Sequence, residues 1–192
     1  DLKFFYALYL TSNALNEERD SKKYLEKCIK INDKNHIILN NLANILLKEG
    51  NIFKAEKLYL KSLEVKDDYL LGIINTAIFY QKLGRFEESK NFYIKAIALS
   101  PERISIFFNM SRIDKNFINE DKIEYLKKIM QNENIESIEM GYGFFLLAEY
   151  ERKKKSYIKE IEYLKKAHKY TFNEKINKNK RTLNYWQNII PS

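Results

Sequence analysis

The chain is poor in the turn residues that sheets need, in the cysteines that staple small domains and in the long apolar runs that span membranes. Its 192 residues include 5 Gly and 2 Pro. A sandwich, barrel or doubly wound sheet reverses direction often and uses such residues in its turns, so the scarcity points to helices. A single cysteine, Cys28, excludes an internal disulfide and fits a reducing cytosol, so a cytoplasmic location is expected. No stretch approaches the ~18 uncharged apolar residues of a membrane helix, and no membrane partner is expected. The first residue is Asp1, not Met, and no basic-then-apolar leader follows it, so the chain is expected to be a fragment or processed product of a longer protein.

Signatures of chemistry are missing too. His36 and His168 lie 132 residues apart, and no His-Glu-x-x-His, cysteine pair or lysine-bearing phosphate loop occurs. Gly141-x-Gly143 lacks a third glycine and opens a helix, so it assigns no nucleotide. No catalytic residue, metal or cofactor is expected in this chain. His168 follows the last core alanine and is expected at the surface.

What is present is a repeat. Asn41-Leu42-Ala43 returns as Asn75-Thr76-Ala77, and Lys48-Glu49-Gly50-Asn51 returns as Lys82-Leu83-Gly84-Arg85. Lys57-Leu58-Tyr59-Leu60-Lys61-Ser62-Leu63 returns as Asn91-Phe92-Tyr93-Ile94-Lys95-Ala96-Ile97. Each offset is 34 residues, and Lys23-Tyr24-Leu25-Glu26-Lys27-Cys28-Ile29 falls into the same register one period earlier. Units 2–35, 36–69 and 70–103 follow without insertion. Ile73, Thr76, Ala77 and Tyr80 share one helical face, and Gly84 ends that helix in the left-handed conformation. A second helix carries Phe86, Ser89, Tyr93, Ala96 and Ile97 before Pro101. Small residues at Ala43, Ala77, Ala55, Ser89, Ser62 and Ala96 let helices approach, with Tyr59, Tyr80 and Tyr93 filling the gaps. Cys28 holds one of these small positions, where a packed, inert thiol is expected. A hydrophobic share of 45%, with 14 Tyr and 12 Phe, supplies a core and rules out wholesale disorder.

The pattern resembles the tetratricopeptide repeat (TPR) family, which wants large apolar, Leu, Gly/Ala and Tyr positions in a first helix, then Ala, a large residue, Ala and Pro in a second. The second unit offers Leu39, Leu42, Ala43, Leu46, Gly50, Ala55, Tyr59, Ser62 and Asp67. The third offers Ile73, Thr76, Ala77, Tyr80, Gly84, Ser89, Tyr93, Ala96 and Pro101. The first is weaker. The resemblance implies an all-α, right-handed α-solenoid of about five helix pairs. A degenerate unit 104–137 follows the regular ones. Unit 138–172, displaced by three residues, comes next. A capping helix over 173–192, with Ile176, Leu183, Trp186, Ile189 and Ile190, would cover the last apolar face.

The sharpest polar feature is one register of asparagine, Asn41, Asn75 and Asn109, on the first helices of three units. An amide offers both donor and acceptor to a peptide backbone. The row is similar to the asparagine ladder of O-linked N-acetylglucosamine transferases, which implies a protein or peptide partner on the inner face. Asn40, Asn44, Lys48, Lys82 and Arg112 lie on the same helices. The chain is rich in asparagine throughout, so composition alone is the competing origin. Ala7 and Leu146 interrupt the row in the first and fifth units. The carboxylate clamp of chaperone-binding TPR domains matches only at Asn44 and Asn75. It finds Asn40, Ser105 and Asn109 where it needs cations, and is rejected.

Charge is uneven. Residues 1–150 hold 22 basic and 22 acidic side chains, whereas 151–181 hold 12 and 4 and so carry the whole net charge of +8. An anionic partner or a solvated helix face both account for this. Nucleic acid is the weakest of the candidates, because the rest of the chain is neutral and offers no groove-reading motif.

Residues 104–170 resemble the junction region of bacterial TPR-type sulfotransferases. The similarity rests on Gly143-Phe144-Phe145-Leu146-Leu147-Ala148-Glu149, a turn closing at Tyr157, and Tyr163-Leu164-Lys165-Lys166-Ala167-His168. Leu146, Lys155 and His168 stand where that family has Ala, Gly and Asn. The resemblance implies the non-catalytic, acceptor-presenting N-terminal part of a sulfotransferase. A C-terminal catalytic domain in cis would bind 3′-phosphoadenosine 5′-phosphosulfate (PAPS), and no catalytic role falls on any residue present. A stand-alone TPR adaptor, or the TPR region of an O-linked N-acetylglucosamine transferase-like enzyme, is the alternative.

Overall fold

The structure, a computed structural model, describes residues 1–172. The expected capping helix over 173–192 lies outside the described residues. Every regular element among the described residues is a helix. The order is α1 (Leu2–Ala14), α2 (Glu18–Ile31), α3 (His36–Lys48), α4 (Ile52–Val65), α5 (Leu70–Lys82), α6 (Phe86–Leu99), α7 (Ile104–Ser111), α8 (Glu120–Ile129) and α9 (Ser137–Lys153), then α10 over 157–172. The all-α repeat fold expected from the 34-residue period is the fold found. The chain divides into two compact units, Asp1–Ser100 and the part from Pro101 onward.

In the first unit, three helix pairs are closed by one recurring turn. Asn16, Gly50 and Gly84 stand 34 residues apart at φ 58°, 77° and 73°. Across each turn the next residue's N–H reaches back to a helix carbonyl: Glu17 to Ser12 (2.9 Å), Asn51 to Leu46 (2.8 Å) and Arg85 to Tyr80 (3.0 Å). This back-bonding satisfies carbonyls that the helix end would leave orphaned.

The small residues do what their register implies. Ser21, Ala55 and Ser89 are buried, as are Cys28, Ser62 and Ala96, each seven residues or about two helical turns later. The Ser62 hydroxyl donates to the His36 carbonyl at 2.8 Å, and the Cys28 thiol approaches the equivalent carbonyl of Leu2 at 3.9 Å. Their short side chains let second helices settle against first helices, and the large residues interlock between pairs. Tyr59 packs its ring 5.3 Å from Phe79, which meets Tyr80 edge-on at 5.2 Å, and Phe92 stacks on Tyr80.

The second unit is less regular. Helix α7 has only eight residues. Its chain then bends through Phe117 and buried Ile118 before Asn119, whose side chain accepts from the Lys122 N–H at 3.1 Å and caps α8. Acidic Glu120 and Asp121 begin α8 and basic Lys127 and Lys128 end it, which suits the helix dipole at both ends. Helix α9 packs on α7 and α8. Gly141 and Gly143 prove to be packing residues. A Cβ on Gly141 would meet Thr171 Cγ2 at 2.6 Å, and one on Gly143 would meet the Met130 sulfur at 2.5 Å.

Candidate functional site

Helix periodicity leaves half of each first helix facing away from its partner. In the first unit that side carries the predicted asparagines and lysines of α3 and α5. A groove of about 330 Å³ is lined by Asn41, Asn44, Lys48 and Lys82 together with Tyr9, Asn13, Ile45 and Leu47. Four of the sequence-predicted residues therefore share one surface.

Their states differ. Asn41 is half-buried, and among the described residues no hydrogen bond occupies its amide. The Asn44 oxygen accepts from the Tyr59 hydroxyl at 2.6 Å, so its NH2 remains as the outward donor. Lys48 pairs with Glu18 across the surface at 2.9 Å. Lys82 is exposed in the last turn of α5, where a cation also complements the helix dipole. Burial, then the nearby Tyr6 and Tyr69, push the Tyr9 hydroxyl above its usual range, so it stays a neutral donor and acceptor.

Asn40 and Asn75 form a different arrangement. Asn40 is only 1% exposed, and its side-chain oxygen accepts from the Asn75 amide nitrogen at 3.2 Å. Asn40 thus sits between α3 and α5 and orients Asn75, its own side chain withdrawn from solvent. Asn109 and Arg112 belong to the second unit. Asn109 is half-buried on α7, and Arg112 is exposed with its guanidinium 5.8 Å from the Phe108 ring centroid.

Sequence reasoning missed Tyr9 and Asn13 as groove residues. Both lie on α1, in the weakest repeat, and Asn13 has leucine at its equivalent position, Leu47, one period on. No sequence signal marked them; only packing of α1 beside α3 brings them in. Among the described residues no group of three His, Cys, Asp or Glu side chains is placed to hold a metal, and no helix is long and apolar enough to cross a membrane.

Comparison with known proteins agrees with this architecture. Tetratricopeptide repeat profiles match residues 24–57 and 75–103. The chain carries tetratricopeptide repeats. Protein O-mannosyl-transferase TMTC3 of Homo sapiens is 30% identical over 91 residues, 47% of this chain. The Mus musculus protein of the same name is 31% identical over 91 residues. The chain spans only 10% of those curated relatives. Among solved structures, MamA protein superposes with a TM-score of 0.61 at 13% identity, covering 88% of this chain and 91% of that one. The Arabidopsis OM64 TPR domain gives 0.55 at 16% identity, covering 60% and 95%. At these identities the structures speak to the fold.

Proposed function

We propose that this chain is a TPR protein-interaction module whose first unit holds an extended peptide segment along the groove of α1, α3 and α5. One observation carries the reading: the groove gathers Asn41, the Asn44 amide NH2, Lys48 and Lys82 on one open surface. The Asn41 amide can donate to and accept from the same peptide backbone, and Lys82 favours acidic residues beside it. Backbone hydrogen bonds of this kind contribute about 0.5–1.5 kcal/mol each, so a single contact is weak and a partner must engage several. Variants Asn41→Ala, at a half-buried amide with no hydrogen bond to lose among the described residues, and Lys82→Gln, at an exposed lysine, should leave circular dichroism unchanged. Screened against an unbiased peptide array, they should lose the segments that the natural chain retains. Identical binding profiles would remove the groove and favour a scaffold that uses another face.

The finer reading is that this module presents an acceptor to a transferase domain in the same polypeptide. The 104–170 pattern supports a PAPS-dependent sulfotransferase. The similarity to a protein named as an O-mannosyl-transferase supports a glycosyltransferase instead, and a stand-alone adaptor is the third possibility. Reading the residues encoded after Ser192 separates them. A strand followed by a Gly-x-x-Arg-Ser-Gly-Thr-like turn and a helix identifies a sulfotransferase. A glycosyltransferase-like domain or a stop codon refutes it.

A further inference from the structure

Two sets of side chains stand 37 residues apart in the second unit, alike in their phenylalanine and final cation and opposite in charge at the position between. Phe108, Arg112 and Lys115 lie on α7 and the turn after it; Phe145, Glu149 and Arg152 lie on α9. Spacings of four and three place the α9 residues on one face. The two sets, with Lys153 and Leu164, line a single cavity of about 510 Å³. Its floor is apolar. The rings of Phe108 and Phe145 lie 5.9 Å apart between centroids, and Leu164 of α10 completes the wall.

Its rim is cationic: Arg112, Lys115, Arg152 and Lys153 against the lone carboxylate Glu149. Part of that charge is already answered. Glu149 lies 3.6 Å from Lys153 and accepts from the Ser111 hydroxyl at 3.3 Å. Arg152 pairs with Glu160 at 2.7 Å, and the Lys153 ammonium also donates to the Lys115 carbonyl. Arg112 and Lys115 stand outside these ion pairs.

We propose that this cavity binds an acidic peptide segment. One aromatic or large apolar side chain seats against Phe108, Phe145 and Leu164, and the flanking Asp or Glu carboxylates meet Arg112 and Lys115, with Arg152 and Lys153 extending the positive rim. A bare anion would leave the phenylalanine floor in water, and a purely apolar ligand would leave the cations unused. The volume exceeds one side chain and falls within the range of roughly 300–1,000 Å³ typical of ligand pockets. The chain's own 173–192 segment is a poor occupant by charge, since it sets Lys175, Lys178, Lys180 and Arg181 against Glu174 alone. The inference rests on reading the chain as a peptide-binding module, but its site lies in the other unit and uses other residues.

The test is fluorescence anisotropy on the full chain with a labelled Asp-Glu-Phe-Glu-Asp peptide. The comparators are Asp-Glu-Ala-Glu-Asp, Asn-Gln-Phe-Gln-Asn and a short single-stranded thymidine oligonucleotide. The acidic aromatic peptide should bind about tenfold tighter than either altered peptide, with an affinity that falls as salt rises. Arg112→Gln and Lys115→Gln, both at exposed positions with circular dichroism as the fold check, should each weaken binding roughly fivefold. Lys95→Gln, at an exposed position of α6 outside both sites, should not change it. Absence of binding, equal binding of all three peptides, or displacement by the oligonucleotide would overturn the inference. Sensitivity to Asn41→Ala with indifference to Arg112→Gln would overturn it too, while leaving the groove of the first unit intact as a site.

Discussion

Left-handed turn residues give the clearest single-residue test of this structure. Gly50 and Gly84 occupy φ 77° and 73° at no steric cost, but Lys155 holds φ 58° in the equivalent turn of the last described pair. The Ser156 N–H reaches back to the Glu151 carbonyl at 3.0 Å, as in the other turns. A side chain with a Cβ strains in that conformation, so Lys155→Gly should stabilise the second unit by about 1 kcal/mol, read as a higher urea midpoint. Gly84→Ala should cost a similar ~1 kcal/mol, through backbone strain alone because a Cβ there meets nothing within 4 Å.

A second residue-scale expectation concerns alkali. Burial pushes the Tyr59 hydroxyl up to about 12, and burial with help from Glu56 pushes Tyr80 up to about 12. A raised folded value means the unfolded chain loses these protons first. The contribution is whole below the ordinary tyrosine value near pH ~10 and is lost as pH rises from there toward about 12. The urea midpoint should fall across that window, with phenolate absorbance lagging that of exposed tyrosines. Phenolate appearing at the ordinary pH while the chain stays folded would contradict the buried placement.

At the scale of elements, the entry to α7 is held from outside its own sequence. Glu139 of α9, only 14% exposed, accepts from the Ser105 N–H at 2.6 Å and from the Ser105 hydroxyl at 2.7 Å, with Arg103 at 3.9 Å. A carboxylate there meets the orphan donors and positive dipole of a helix start. Glu139→Ala leaves a part-buried N–H unpaired and should cost about 1–3 kcal/mol, measured by urea unfolding of the full chain. The N-cap residue of α7, Arg103, makes no side-chain capping bond of its own. The partner residue lies 34 positions on, at a spacing that only the packing of α9 against α7 makes meaningful.

At the scale of the molecule, the division after Ser100 predicts independence. Residues 1–103 contain three helix pairs with their own interlocked core of Leu25, Tyr59, Phe79 and their neighbours. Repeat arrays are stabilised by each unit and its nearest neighbours, so this fragment should fold alone, with helical circular dichroism and a cooperative melt. An unfolded 1–103 fragment would show that the array depends on the rest of the chain.

Helices, their turns and their small-residue contacts were legible because each depends on residues a few positions apart, repeated every 34. That spacing alone assigned Gly50 and Gly84 to turns and Ala55, Ser62 and Ser89 to buried positions. Asn40 and Asn41 show where such reasoning stops. They are adjacent, of one chemistry and on one helix, and only the approach of α5 with Asn75 decided that Asn40 is enclosed and Asn41 open. The cavity of the second unit was equally hidden. Its walls come from α7, α9 and α10, in repeats displaced from the strict period, so no single window of sequence holds Phe108, Phe145 and Leu164 together. Local periodicity set the elements in this chain, and the docking of one helix on another, which depends on whole surfaces, decided which of their side chains face a partner.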